Sequence, residues 1–497
     1  MACPGFVVSA PASGSGKTTV TLGLIAALAE RGMCVQPFKA GPDFIDPGHH
    51  AAAAGGRPSR NLDGWLTSRE YVLALAARAT RDAEIAIVEG MMGLFDGLDG
   101  GSNRGSTAEL AAWLGWPVVL VIDASAAARS VAALVRGFRT FDRAVEVCGV
   151  VFNRIGGRGH LDMLREACAG EGVRVIGGLP FDPALEMRER HLGLETALES
   201  AGHIDYRAIG RRVAEVLDLG VLLELARPLQ PPPHPGGAFP SLQLAAGGVN
   251  GVGSARQDRA PDTAPDERGH AALAPRCRIG VARDAAFCFY YEDNLEFLRA
   301  AGAEIVAWSP LASGLLPPDI DGVYLGGGYP ELHASALASG GVGVALAQFA
   351  AAGGMIYAEC GGFMVLQRAI RLLDGSEHAM AQIFPGVAVM HARLQAIGYV
   401  EVAARIDGQS LRARGHEFRH STLEGSGEGT RRDGDPIERV YHAASGGTRA
   451  PDGFGWRRVL ASYVHLHFAS APDLVSVLVA RAAEYRRERR AIEIGTR

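Results

Sequence analysis

Along residues 5–180, short apolar runs alternate with amphipathic stretches. "GFVVSA" (5–10), "MCVQPFKA" (33–40), "EIAIVEG" (84–90), "PVVLVIDA" (117–124), "VCGVVFNR" (147–154) and "VRVIGGLP" (173–180) predict strands. Between them, 17–31, 68–81, 126–139 and 159–171 carry helical spacing. Strands that are apolar at nearly every position, joined by helical crossovers, predict a parallel sheet covered on both faces. The pattern returns later in the chain. "RIGVA" (278–282), "AEIVAWSP" and "DGVYLGGG" read as strands and "YEDNLEFLRAAG" as a helix, while "GGMIYAECGGFMVL" reads as strand, sharp turn and helix. Beyond residue 384 short alternating runs predict a mixed or antiparallel portion.

A chain of 497 residues is too long for one core. Residues 227–275 are rich in Pro, Gly, Ala and charge and keep no periodicity, which predicts a disordered linker. It separates a domain at 1–226 from another at 276–497. A net charge of −5 and the lack of any Lys/Arg run argue against nucleic acid as a partner. Seven cysteines, none in a C-x-x-C pair, predict neither a zinc site nor a disulfide framework but reduced thiols, hence a cytoplasmic protein. "FVVSA" breaks at Pro11 and reads as a buried strand rather than a signal peptide, and no apolar stretch is long enough for a membrane.

"APASGSGKTT" (10–19) lies between a predicted strand and a predicted helix. It has the Gly-Lys-Thr of a phosphate-binding loop, but Pro11 stands where the first glycine belongs. In this setting the backbone of Gly14, Ser15, Gly16 and Thr19 would cradle phosphates of ATP, with Lys17 on the β/γ oxygens and the Thr18 hydroxyl on Mg²⁺. Mg²⁺ needs hard oxygen ligands. Asp43 and Asp46 in "KAGPDFIDPGHH" and Glu89 and Asp96 in "VEGMMGLFDG" fall at predicted strand ends on the same rim. Asn153, ending a fifth strand, offers an amide to an adenine edge or to a turn.

Cys360 in "YAECGGFMVL" sits where an apolar strand turns into a helix, a nucleophile elbow with Cys for Ser. The helix N-terminus is expected to lower its thiol pKa. "SYVHLHFAS" supplies His465 and His467, which alternate along a strand, so only one faces Cys360. The turn "LGGGYPELH" places Gly327 and Gly328 where their N–H groups, with that of Gly361, would form an oxyanion hole. Trp65, Tyr290 and Tyr291 are candidates for stacking on a flat substrate, and Arg57, Arg60 and Arg104 for gripping its carboxylates.

Eight segments in order, "SAPASGSGKTT", "KAGPDFIDPGHH", "NLDGWL", "VEGMMGLFDG", "ARDAAFCFYYEDNLEFL", "GGGYPELHA", "AECGGFMVL" and "SYVHLHF", resemble the cobyrinic acid a,c-diamide synthases. The resemblance implies an α/β protein: an N-terminal P-loop NTPase sheet similar to dethiobiotin synthetase, and a C-terminal class I glutamine amidotransferase-like domain. It implies glutamine-dependent, ATP-driven amidation of a corrinoid, Cys360 as nucleophile and His465 as its base. Asp43, Asp46, Glu89 and Asp96 would surround Mg²⁺, ATP and the reacting carboxylate. A homodimer built on the N-terminal sheet would follow from the same build. One departure stands out: the family of class I glutaminases has His-Pro-Glu where this chain has His465-Leu466-His467, leaving the base-orienting role unfilled or filled differently. A metal-free corrin or nickel-sirohydrochlorin as substrate, and a ParA-like regulatory ATPase, are competing readings; the last leaves Cys360 and His465 without a role.

Overall fold

The computed structural model describes residues 2–185, 189–190, 193–200, 203–230, 275–425, 435–445 and 448–495. The first half runs β1 (Pro4–Ser9), α1 (Lys17–Glu30), β2 (Val35–Ala40), α2 (Ile45–Ala53), β3 (Arg60–Leu62), α3 (Arg69–Ala79), β4 (Ile85–Glu89), α4 (Thr107–Leu114), β5 (Val118–Asp123), α5 (Ser130–Phe141), β6 (Val147–Ile155), α6 (Arg158–Cys168) and β7 (Arg174–Pro180). It closes with the small hairpin β8 (Glu189–Arg190) and β9 (Gly193–Leu194), then α7 (Tyr206–Val216), α8 (Leu219–Leu225) and β10 (Arg227–Pro228). The main sheet has the order β3-β2-β4-β1-β5-β6-β7 and is parallel throughout this path.

Alternation explains its two coats. Phe6, Val8, Val119 and Val121 pack with Leu22 and Ile25 of α1 and Ile209 and Val213 of α7. Their neighbours Val7, Leu120 and Ile122 pack with Leu75 of α3, Leu114 of α4, Val135 of α5 and Leu164 of α6 on the other face. Each such buried aliphatic side chain contributes about 1.5–3 kcal/mol of transfer free energy. The strand order changes direction at β1, so the loop after β1 opens at a topological switch point, where sheets of this kind bind ligands.

Residues 227–230, expected in the linker, belong to this first body. Arg227 and Pro228 pair antiparallel with Gly5 and Pro4, and the Gln230 N–H donates to the Leu114 carbonyl. Of the rest of the expected linker, 231–274 lies outside the described residues, and the Pro275 carbonyl accepts from Arg486.

The second half runs β11 (Cys277–Ala282), α9 (Glu292–Ala300), β12 (Ala303–Trp308), β13 (Gly322–Leu325), α10 (Ala334–Ser339), α11 (Val342–Ala351), β14 (Met355–Glu359) and α12 (Gly361–Leu366). Shorter strands follow: β15 (Ala369–Arg371), β16 (Glu377–Ala379), β17 (Val387–Met390), β18 (Ala396–Ile406), β19 (Gln409–Arg419), β20 (Ser421–Glu424), β21 (Glu438–Ser445), β22 (Thr448–Trp456), β23 (Val459–Ser462) and β24 (His465–Leu466), before α13 (Pro472–Gly495). The larger sheet has the order β12-β11-β13-β14-β23-β22-β21-β18-β19-β24, parallel up to β23 and antiparallel beyond.

The halves touch. Arg60 donates to Asp293 (2.8 Å) and to Glu296, the Tyr71 hydroxyl to Asp293 (2.9 Å), the Tyr399 hydroxyl to Asp63 (2.8 Å), and Arg414 to the Trp65 carbonyl (3.0 Å). One buried apolar cluster runs from α3 into α9. Among the described residues no single helix is long and apolar enough to cross a membrane.

Candidate active site

Gly14 and Gly16 take positive φ (78° and 92°), a conformation that disfavours any side chain, and they curl the loop so that α1 begins at Lys17 with no side chain over its N-terminus. The Lys17 ammonium folds back to the Ala12 carbonyl (3.1 Å), as does the Ser15 hydroxyl (2.9 Å). Burial, and then the Lys39 charge, lowers the Lys17 pKa. Asn153 donates to the Ser15 carbonyl (3.0 Å) and lines a small groove with Gly16, Thr19, Pro180 and Phe181.

Register places the acidic side. Val8 pairs with Glu89 and Lys39 with Glu89, so the ends of β1, β2 and β4 are level. The Thr18 hydroxyl donates to Glu89 Oε1 (2.7 Å). Lys39 donates to that same oxygen (2.9 Å) and to Asp46, and lies 3.7 Å from Asp43; His50 Nε2 is 2.6 Å from Glu89 Oε2. Burial opposes ionisation of Glu89, but Lys39 and His50 outweigh it and hold the carboxyl below the ordinary range. Asp43 Oδ1 also accepts from the N–H groups of Ile45 and Asp46, fixing the start of α2. Asp96 is exposed, its carboxylate accepts the Gly93 N–H (2.8 Å), and its charge acts on Lys17. Among the described residues no three His, Cys, Asp or Glu side chains form a metal-holding group on their own.

Sequence reasoning missed Lys39 and His50. A lysine ending the otherwise buried strand "VQPFKA" was the available signal, since a lysine is rarely buried unless paired.

In the second half, Cys360 has φ 47° and ψ −106° between β14 and α12. This strained elbow is held by the Cys360 N–H donating to the Ser462 carbonyl (2.9 Å) and by Met364 donating back to the Cys360 carbonyl (3.0 Å). Gly327 faces both chemical groups. A methyl there would lie 2.3 Å from His465 Cε1, 3.0 Å from His465 Nε2 and 3.4 Å from Cys360 Cβ. Gly328 (φ 152°) has no room for a side chain beside the Ala286 carbonyl, and its N–H lies beside Gly361. His465 and His467 are both buried and diverge. His465 stacks on His416 (5.1 Å between ring centroids), whereas His467 packs on Tyr291 (4.8 Å) and lies 3.8 Å from Asp293.

Three expectations are corrected. Burial, reinforced by Glu331, pushes the Cys360 thiol up to about 12, against the lowering expected from the helix terminus. Trp65, Tyr290 and Tyr291 are used internally: Trp65 stacks on Tyr399, the Tyr290 hydroxyl donates to the Ala282 carbonyl, and Tyr291 is 2% exposed. Arg57 and Arg60 are likewise committed to Asp82 and to the Asp293–Glu296 pair.

The two centres adjoin through Phe44, next to Asp43. Its ring packs on His465 (4.9 Å), Tyr291 (4.7 Å) and Phe289 (5.4 Å) of the second half.

Comparison with known proteins gives this architecture a family. Residues 6–194 match the CobQ/CobB/MinD/ParA nucleotide binding domain, and residues 278–473 the CobB/CobQ-like glutamine amidotransferase domain. The cobyrinate a,c-diamide synthase of Syntrophotalea carbinolica is 41% identical, over 96% of this chain and 98% of its own. That of Leptospira interrogans is 36% identical, over 96% and 98%. The hydrogenobyrinate a,c-diamide synthase of Streptomyces coelicolor is 40% identical, over 97% and 98%. Identity of this degree across both domains places the chain among the cobyrinate and hydrogenobyrinate a,c-diamide synthases, and it belongs to that family.

Proposed function

We propose that this protein amidates the a and c side-chain carboxylates of cobyrinate, with glutamine as nitrogen donor and ATP as activator, in cobalamin biosynthesis. The observation that carries this reading is the convergence of Cys360 and His465 on Gly327, one aromatic ring away from the Lys39–Asp46–Glu89 cluster.

A free carboxylate is a poor electrophile with a poor leaving group. Phosphoryl transfer converts it to an acyl phosphate, which ammonia attacks. The phosphate loop, residues Gly14 to Thr19, binds the nucleotide, Lys17 neutralises charge on the transferring group, and Asn153 meets the base. The donor set suits Mg²⁺: Thr18 and Glu89 bring hard oxygen atoms together at 2.7 Å and, with Asp43, would hold it. When bound, it would supply neutralisation of the phosphate charge. Asp46 and Asp96 face the carboxylate being activated.

Cys360 attacks the glutamine amide, and the N–H groups of Gly328 and Gly361, with the Gly327 turn, stabilise the oxyanion. His465, kept neutral by burial and then by His416, takes the thiol proton. Ammonia then moves past Phe44 to the acyl phosphate. The setting is the cytoplasm, and the working form a homodimer on the N-terminal sheet.

Mass spectrometry of products from cobyrinate, its cobalt-free analogue and nickel-sirohydrochlorin tests the substrate. Two added amides on cobyrinate alone are expected; the same gain on hydrogenobyrinate alone, supported by the similarity to an enzyme named for it, would establish the alternative. Run with either nitrogen source, Lys17→Ala abolishes both reactions and Cys360→Ala only the glutamine-dependent one. If ammonia fails to rescue Cys360→Ala, the division of labour is wrong.

A further inference from the structure

Glu359 ends β14 immediately before the nucleophile and is 2% exposed. Its oxygens accept three hydrogen bonds: Tyr324 hydroxyl to Oε2 (2.8 Å), Tyr357 hydroxyl to Oε1 (2.6 Å) and the Leu466 N–H to Oε1 (3.0 Å). No arginine or lysine pairs with it by a described ion pair. Burying a carboxylate on neutral donors alone is costly, so its place needs a reason.

The neighbour on its open side supplies one. His465 Nδ1 lies 3.9 Å from Glu359 Oε2, and Nδ1 is a buried polar atom with no hydrogen-bond partner among the described residues. The opposite ring nitrogen, Nε2, lies against Gly327, the same glycine that adjoins Cys360 Cβ. His467, at the position where related glutaminases carry their orienting Glu, points to Asp293 instead. A carboxylate short of a cation and an imidazole short of an acceptor therefore stand side by side, one residue from the nucleophile.

We propose that Glu359 is the positioning residue of the glutaminase base: its Oε2 accepts the Nδ1–H of His465, fixing the tautomer that leaves Nε2 bare toward Cys360. Closing the gap needs a movement of about 1 Å, within what such bonds tighten by when substrate binds. The Cys360 Sγ proton passes to Nε2 as the sulfur bonds the glutamine amide carbon and the carbonyl π pair moves onto oxygen. When that pair returns, the carbon–nitrogen bond breaks, the amine takes the proton from Nε2, and ammonia departs. Water then hydrolyses the thioester. In the first step Glu359 stabilises the imidazolium without receiving its proton.

Tyr324, Tyr357, Tyr290 and Tyr441 surround the carboxylate with phenols, and His416 faces His465 from its other side. Burial raises Glu359 to about 7. Its protonation below neutrality removes the acceptor, so the acid limb of glutamine hydrolysis reports it.

The inference rests on the glutaminase reading of Cys360. Glu359→Gln keeps the shape and an oxygen acceptor but not the charge. Expected are a fall in kcat for glutamine hydrolysis of roughly 100-fold or more, little change in KM, retained ammonia-dependent amidation, and loss of the acid limb near pH 7. In a His465→Ala background the same substitution adds no further loss. An unchanged kcat and pH profile, or an equal further loss without His465, would overturn the role of Glu359. Glutamine hydrolysis surviving in Cys360→Ala would overturn the underlying reading instead. Should Glu359→Gln lose ammonia-dependent activity through misfolding, Tyr324→Phe decides. Removing a donor from Oε2 must move the wild-type acid limb to higher pH, and an unmoved limb sinks the proposal.

Discussion

Gly327 has no side chain because the His465 ring occupies the space one would fill. A methyl group there would meet His465 Cε1 at 2.3 Å, well inside van der Waals contact, and would touch Cys360 Cβ at 3.4 Å. Either the imidazole or the turn must move. Gly327→Ala is therefore expected to cut glutamine-dependent amidation by roughly 100-fold or more while sparing the ammonia-dependent reaction. Comparing initial rates with the two nitrogen sources checks this, and an equal loss in both would point to a folding defect. At this scale the strand–turn–helix settings of Cys360, Lys17 and Thr18 were legible, because each is a local signature. Lys39, His50 and Glu359 were silent. Their partners lie as far as 107 residues away, and strand register and the placement of α2 bring the distant ones together.

Among the elements, β3 and α3 of the first half meet α9 of the second through partly buried ions. Arg60 and Arg78 both reach Glu296, and although burial opposes its ionisation, the two guanidinium groups hold its pKa below the ordinary 4.5. A depressed folded-state pKa adds stability that is present above the unfolded value and lost as pH falls through the folded one. Thermal unfolding from about pH 6 to pH 3 should therefore show a declining Tm in the wild type and a flatter one in Glu296→Gln. Parallel curves would place the acid sensitivity elsewhere. Most of the parallel strands and their long helices were legible because apolar runs and helical spacing are local. Helix α2 was not: "IDPGHHAAA" carries Pro and Gly in its first turns, and the Asp43 carboxylate organises its start. Nor was β10, whose two residues pair with β1 from within a Pro-rich stretch read as linker.

For the molecule as a whole, the question is where the nitrogen travels. Phe44 follows Asp43 of the acidic rim and packs on His465 of the second half. With amide-labelled glutamine and an excess of unlabelled ammonium, the wild type should keep its label in the product. Phe44→Ala should let external ammonium dilute it, because the ring that closes the junction is gone. Full dilution in the wild type would exclude an internal route. Of the residues expected to stack on or grip the substrate, Trp65 and Arg60 serve the contact between halves, whereas Arg57 and Tyr290 are held within their own half.

His465 belongs to a strand of two residues whose backbone leans on β19, His465 pairing with His416. β19 is one arm of a hairpin with β18, eleven residues on each arm, and both arms grasp the first half, through Tyr399 on Asp63 and Arg414 on the Trp65 carbonyl. The hairpin thus ties the position of His465 to the seating of the first half, and Tyr399→Phe, which frees Asp63, is expected to change glutamine hydrolysis from a distance.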